Sequence, residues 1–485
     1  MTKILIAGIA AVLLLGGCGR IPYRTEGLAE RPDCRALYDK YDDITVDNKK
    51  VPASVVDDPC WLRAKEERNN YDLMFMEFDD QGWIQDSKGR QGKSEDYFDA
   101  FFDEFGKIYD ANQENGLSVV VFVHGWHHNA DPRDRNVTEF RHLLRDVATM
   151  EQGRKLDDKD TTKAGRRVVG IYIGWRGESI TMPVVNNLTF WERKNTAERV
   201  SQGSVLEFFS RMDMIRDRGR KGVPMADINL KYRKGDSDSN IRMLTIGHSF
   251  GGLITYEALG GEFIRVASRS RSGDYVSRLG DLVIIANPAF EGSRYEPLRL
   301  AGKRLQKFNN NQLPVIIVAT SKADLATSWA FPAARRFNTF FDSTPGAEND
   351  AAVKAVGHNE RYTTHELGLC DRTDAKCEKT CIDEQKERSS TPENKKDIKA
   401  DIDDEIKLMK KVGKTGFSRD LYLCGGLQLK GTDNWSPASN PFWVVSTTKD
   451  IMGGHNDIFN PNFVSFIRQM YLSVIWEPDH KSEWR

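Results

Sequence analysis

Six residues, Gly247-His248-Ser249-Phe250-Gly251-Gly252, set a serine between glycines in the pattern Gly-x-Ser-x-Gly. The apolar run Ile241 to Ile246 before them reads as a buried strand, and Gly252 to Leu259 after them reads as a helix. A serine on so sharp a strand-to-helix turn presents its hydroxyl, and the glycines are required because the turn has no room for side chains beside it. A hydroxyl is a weak nucleophile without a base. The chemistry indicated is therefore acyl transfer, which calls for a histidine and an orienting carboxylate from elsewhere in the chain. Of nine histidines, His124, His127, His128, His142 and His248 precede Ser249, while His358, His365, His455 and His480 follow it.

The strand, turn and helix around Ser249 resemble the α/β-hydrolase family, and His248 with the double glycine matches the lipase-like form of its motif. The resemblance implies an α/β fold with a mostly parallel central sheet flanked by helices, and the chain order Ser, Asp/Glu, His. In that family the histidine lies between the last core strand and the last helix. His455 matches: Phe442 to Ser446 is the strand, Gly453-Gly454-His455-Asn456-Asp457 the loop and Pro461 to Leu472 the helix. The acid position, at the carboxyl end of the strand Pro314 to Thr320, falls on Asp324. Some members place the acid one strand earlier, where Glu291 follows Asn287-Pro288-Ala289-Phe290 and is the alternative. Val119 to Val123 followed by His124-Gly125-Trp126 resembles the family's strand and His-Gly-X loop. The resemblance thus implies that the backbone N–H groups of Trp126 and Phe250 hold the oxyanion, with His124 as a brace.

The activity implied is a serine hydrolase acting on carboxylic esters, esterase or lipase-like, with a small-molecule or lipid ester as substrate and with neither cofactor nor metal. An amidase, peptidase or thioesterase uses the same residues. A catalytically idle scaffold serving as an envelope interaction module is the alternative from another class, and the complete candidate triad counts against it.

The positioning elements are legible as periodicity. Tyr71 to Phe78, Leu117 to Val123, Val168 to Ile173, Leu282 to Ala286 and Pro314 to Ala319 read as strands. They alternate with helical patterns at Tyr97 to Tyr109, Val137 to Met150 and Phe190 to Arg216, the rhythm of a mostly parallel sheet. A short stretch near Trp83 is predicted to close an opening hairpin with Tyr71 to Phe78. The core is expected over 71–358 and 441–485. Residues 359–440 hold four cysteines and a helical spacing at Ile398, Ile402, Ile406 and Met409. They are expected as an insertion before the last core strand and a candidate cap. Arg176, in Gly174-Trp175-Arg176-Gly177 near the same rim, is expected to be structural.

The chain of 485 residues is long enough for a large core, and its 70 Lys+Arg against 71 Asp+Glu leave no basic excess for a nucleic-acid partner. After Lys3, the apolar and small residues Ile4 to Gly17 are too few to span a bilayer and read as a signal peptide over 1–17. The run ends in Leu15-Gly16-Gly17-Cys18, which resembles the bacterial lipobox. That resemblance implies lipidation of Cys18 and a protein tethered to a membrane of the bacterial envelope, facing the periplasm or cell surface; Gly19 points to the outer membrane. Residues 18–70 form the expected tether and N-terminal extension. Cys34, Cys60, Cys370, Cys377, Cys381 and Cys424 are an even set, predicted to form three disulfides, with Cys34–Cys60 a local pair and the other four in an open order. A metal site with His358 or His365 is disfavoured, because the cysteines are not spaced as C-x-x-C. Oligomeric state is left open.

Overall fold

The computed structural model describes residues 22–29, 31–41, 55, 57–85, 94–155, 165–177, 186–219, 241–274, 276, 280–309, 312–338, 348–371, 373–378, 402–409, 411–412, 419–434 and 439–475. The signal segment 1–17, Cys18, Cys381 and Ile398 lie outside them. The strands are β1 (Lys65–Glu67), β2 (Tyr71–Phe78), β3 (Leu117–Val123), β4 (Arg167–Trp175), β5 (Ile241–His248), β6 (Leu282–Ala286), β7 (Ile316–Ser321), β8 (His365–Leu369), β9 (Asp420–Leu423), β10 (Leu427–Gly431) and β11 (Phe442–Thr447). They form one sheet in the order β1-β2-β4-β3-β5-β6-β7-β11-β8-β10-β9. Every pairing from β2 to β8 is parallel, and β1, β10 and β9 add antiparallel edges.

Both faces are covered, which is why the strands read as unbroken apolar runs. The main helices are α1 (Pro32–Lys40), α2 (Ser94–Ala111), α3 (Arg135–Lys155), α4 (Asn186–Gln202), α5 (Ser204–Gly219), α6 (Phe250–Arg269), α7 (Gly292–Arg304) and α8 (Pro461–Ile475). Side chains alternate along a strand, so β3 divides its residues between two cores. Val119, Val121 and Val123 pack with Phe101 and Phe105 of α2, Phe208 of α5 and Leu253 of α6. Val120 and Phe122 pack with Phe140 and Leu144 of α3 and with Phe463, Phe466 and Met470 of α8.

Three expectations change. The stretch near Trp83 does turn back antiparallel on the end of β2, but only over one bridge, Phe78 to Ile84, flanked by Asp79 N–H to the Trp83 carbonyl at 2.9 Å and Gln85 N–H to the Glu77 carbonyl at 2.7 Å; the longer antiparallel partner is β1, with Lys65 opposite Met74. The Asp79 carboxylate accepts from the N–H groups of Gln81 and Trp83 and so shapes this tight turn. The predicted helix Phe190 to Arg216 breaks into α4 and α5 at Gly203. There the chain passes so close to Gly82 that a Cβ would lie 2.6 Å from its carbonyl oxygen. The described part of 359–440 extends the sheet instead of capping the site. β8 pairs in parallel with β11 and satisfies backbone groups that a bare edge would leave open. A helix over 402–409 lays Ile402, Ile406 and Met409 into the same core as α8, where Glu405 accepts from Ser465 at 2.7 Å and pairs with Arg468.

The predicted Cys34–Cys60 disulfide is present, a second joins Cys370 to Cys377, and Cys424 is also disulfide-bonded. No helix among the described residues is long and apolar enough to cross a membrane.

Among the bonds that join the N-terminal extension to the core is a buried charge cluster around one carboxylate. Glu66, fully buried, pairs with Arg24 at 3.2 Å, Arg68 at 3.0 Å and Arg141 at 2.6 Å. Burial pushes its carboxyl up, but the three guanidinium groups outweigh that and hold it well below the usual range. Replacing Glu66 with alanine strands three buried cations. Glu66→Ala is expected to cost about 3–5 kcal/mol in urea unfolding, and a loss below about 1 kcal/mol would contradict the burial of the cluster.

Candidate active site

Ser249 sits between β5 and α6 with φ 55° and ψ −118°, a left-handed backbone that costs a side-chain-bearing residue about 1–3 kcal/mol. Its backbone is held against that strain. The N–H donates to the carbonyl of Ala286 at 3.0 Å, and its own carbonyl accepts from Leu253 and Ala289 at 3.2 Å each. Space around it is minimal. A Cβ on Gly125 would lie 2.8 Å from that of Ser249, and one on Gly251 would lie 2.1 Å from the Val123 carbonyl oxygen. These approaches bring the His124-Gly125-Trp126 loop and the amino end of α6 against the serine. Phe250 opens α6, whose first N–H groups point out of the helix. Trp126 stacks on His127 with ring centres 4.1 Å apart.

Ser249 Oγ and His455 Nε2 are 2.8 Å apart, and His455 Nδ1 is 2.8 Å from Asp324 Oδ2. Thr327 donates to Asp324 twice, through its hydroxyl to Oδ2 at 2.5 Å and its N–H to Oδ1 at 3.1 Å. Burial pushes the Asp324 carboxyl up, but the hydrogen bond and charge of His455, with the bonds from Thr327, hold it below the usual range. An ionised carboxylate only accepts, so the shared proton belongs to His455 Nδ1 and leaves Nε2 free to accept from the serine. Asp324 is fully buried, and the His455 side chain is 21% exposed at the rim.

Glu291, the alternative acid, does not reach His455. It is buried among Lys194 at 3.1 Å, Arg294 at 2.8 Å and Arg335 at 2.9 Å, and those cations hold its carboxyl low against the upward push of burial. Arg176 pairs with Asp80 at 3.3 Å. His124 braces its loop as expected, donating through Nδ1 to the Gly125 carbonyl at 2.8 Å and accepting at Nε2 from the Trp175 N–H at 3.0 Å. Among the described residues one cluster has metal-ligand proximity, Asp33, Cys34 and Cys60, and its two sulfurs are joined in the disulfide.

Five contributors escaped sequence reading. Asn287, itself at φ 45°, donates to the carbonyls of His455 at 2.9 Å and Gly454 at 3.1 Å and accepts from Ser321 N–H at 2.9 Å. Ser321 donates to the Met452 carbonyl at 2.6 Å. His248, seen only as motif lettering, donates through Nε2 to the His455 carbonyl at 2.9 Å. Behind the acid, the Thr327 hydroxyl donates to Asp324 and so accepts from His358 Nε2 at 2.8 Å. Polar residues directly after strand ends were the available signal for Asn287 and Ser321; nothing local marks Thr327 or His358.

The chain matches no protein-family model, no curated protein and no solved structure in the comparisons made.

His124 and His248 are buried and neutral. Burial takes His124 down to about 4, while burial followed by the nearby His455 and His128 takes His248 far below its ordinary value. A depressed pKa means that the unfolded chain binds the proton first, so stability present above the ordinary value of 6.5 is lost as pH falls toward the folded value. Between pH 6.5 and about 4, His124 alone contributes a loss of about 1.4 kcal/mol per pH unit. In urea titrations over this window, folded His124→Gln is expected to show a slope shallower than wild type by that amount; equal slopes would contradict the neutral buried ring.

Proposed function

We propose that this protein is a membrane-tethered serine hydrolase of α/β-hydrolase type that cleaves carboxylic esters through an acyl-enzyme. The observation that carries the reading is the hydrogen-bonded line from Ser249 Oγ through His455 to Asp324, 2.8 Å at each step, with the serine on a strained turn. Ser249 Oγ attacks the ester carbonyl carbon while its proton passes to His455 Nε2. Asp324 stabilises the imidazolium and keeps the ring in register. The backbone N–H groups of Trp126 and Phe250 are assigned to the oxyanion. Collapse breaks the bond to the alcohol oxygen, which takes the proton from His455 and departs. Water then gives its proton to His455, attacks the acyl carbon and releases the acid, returning Ser249 to its starting state. In sum, ester and water become acid and alcohol.

The anchor in this reading is lipidated Cys18, which holds the protein on a bacterial envelope membrane without a spanning segment.

Purified protein is expected to hydrolyse activated esters and to be labelled by a fluorophosphonate. Ser249→Ala should abolish both, and undiminished labelling would refute the nucleophile. Asp324→Asn is expected to lower kcat by about three to four orders of magnitude with the fold intact. Glu291→Gln should change turnover by less than about threefold, its loss being felt instead in the ion-pair cluster. The opposite ranking would move the acid to Glu291.

A further inference from the structure

The sheet edge that carries Ser249 is also the edge where the chain enters. From Pro22, the first described residue, the N–H groups of Tyr23 and Arg24 donate to the Glu77 carboxylate at 3.1 and 2.8 Å. The Arg24 guanidinium donates to the Ala130 carbonyl at 2.8 Å and lies over the Phe75 ring. Glu77 is the penultimate residue of β2 and Ala130 belongs to the loop after β3, so the entry point is at the carboxyl ends of the parallel strands. Pro22 is the fourth residue after Cys18. Four residues reach at most about 14 Å when fully extended.

That edge also carries the three most exposed large apolar side chains among the described residues: Leu325 at 76%, Trp329 at 74% and Trp83 at 61%. Leu325 and Trp329 follow Asp324 in the segment after β7, and Trp83 lies in the turn after β2. In the sheet order β2 and β7 stand five strand steps apart with β5 between them, so these groups flank Ser249 across about 24 Å at the usual strand spacing. Tryptophan, apolar with one N–H, suits the boundary between headgroups and acyl chains.

We infer that this edge is a bilayer-docking surface. With Cys18 acylated, the tether is too short for the body to turn its catalytic edge away from the membrane. Leu325, Trp329 and Trp83 enter the headgroup region of the anchoring leaflet, and Ser249 faces that leaflet. The substrates it meets are then amphiphilic esters presented at the bilayer surface. The inference rests on the proposed lipidation of Cys18; its first readout is independent of catalysis.

The test uses acylated full-length mature protein in phosphatidylethanolamine/phosphatidylglycerol vesicles, with and without bromine on the acyl chains, and reads emission from the ten tryptophans. Brominated vesicles are expected to quench, and Trp83→Phe/Trp329→Phe should remove roughly half of the quenching or more. Trp83→Ser/Trp329→Ser should cut hydrolysis of a vesicle-borne ester roughly tenfold and leave a soluble ester within about twofold. Quenching unaltered in the phenylalanine variant overturns the docking, as does a dimer in detergent that is lost on substituting Trp329, since a second copy would then cover the edge. Mass spectrometry that finds no acyl chain on Cys18 overturns the anchor and the docking together. Trp83- and Trp329-dependent quenching in a protein whose Ser249 resists fluorophosphonate supports the docking and sinks the hydrolase reading alone.

Discussion

A single backbone oxygen, the carbonyl of His455, ties the loop after β11 to the ends of two other strands. It accepts from His248 Nε2, at the end of β5, and from Asn287 Nδ2, just beyond β6, which occupies both of its lone pairs. Ser321, at the end of β7, secures the same loop three residues earlier through the carbonyl of Met452. Without these bonds the loop after β11 has no reason to hold an imidazole between residues 206 and 131 positions away in sequence. The clamp is made of neutral donors, so it holds the histidine without placing a charge beside it.

The charge in the line is confined to Asp324, and its surroundings are specific to that role. Oδ2 receives the His455 N–H and the Thr327 hydroxyl, while Oδ1 receives the Thr327 N–H. A hydroxyl that gives its hydrogen to a carboxylate can still accept, and His358 Nε2 occupies that side. Burial lowers the basicity of His358, keeping it a neutral donor near the acid. The proposed nucleophile and base therefore stand on a polar chain that passes through the fully buried Asp324 and Thr327 and ends at the partly buried His358.

At the other end of the sheet the same physics serves attachment. Glu66 gathers Arg24, Arg68 and Arg141 from three separate stretches of chain, and the aromatic pair Tyr38 and Trp61 packs alongside under the Cys34–Cys60 disulfide. The described residues of the stretch that composition marks as a polar tether, from Pro22 on, are thereby part of the folded body. The described part of 359–440 is absorbed similarly, β8 pairing with the edge of β11 and Ile402, Ile406 and Met409 packing with the apolar face of α8.

The sequence by itself determined what depends on neighbouring residues: the apolar runs of a parallel sheet, the helical stripes on its two faces, and the serine on a turn that only glycines can flank. His455 and Asp324 followed from their order relative to those runs and a family resemblance. Tertiary structure decided which carboxylate faces the imidazole. Asp324 and Glu291 both follow strands, but Lys194, Arg294 and Arg335 converge on Glu291 from distant segments and fix it elsewhere. It likewise decided that Asn287, Ser321, Thr327 and His358 support the site. Their contacts span 31 to 168 residues apart from the local bonds of Thr327, and no periodicity encodes such pairings. The edge at which the chain enters was also beyond reach, because it is set by a carboxylate on β2 meeting backbone N–H groups more than fifty residues earlier.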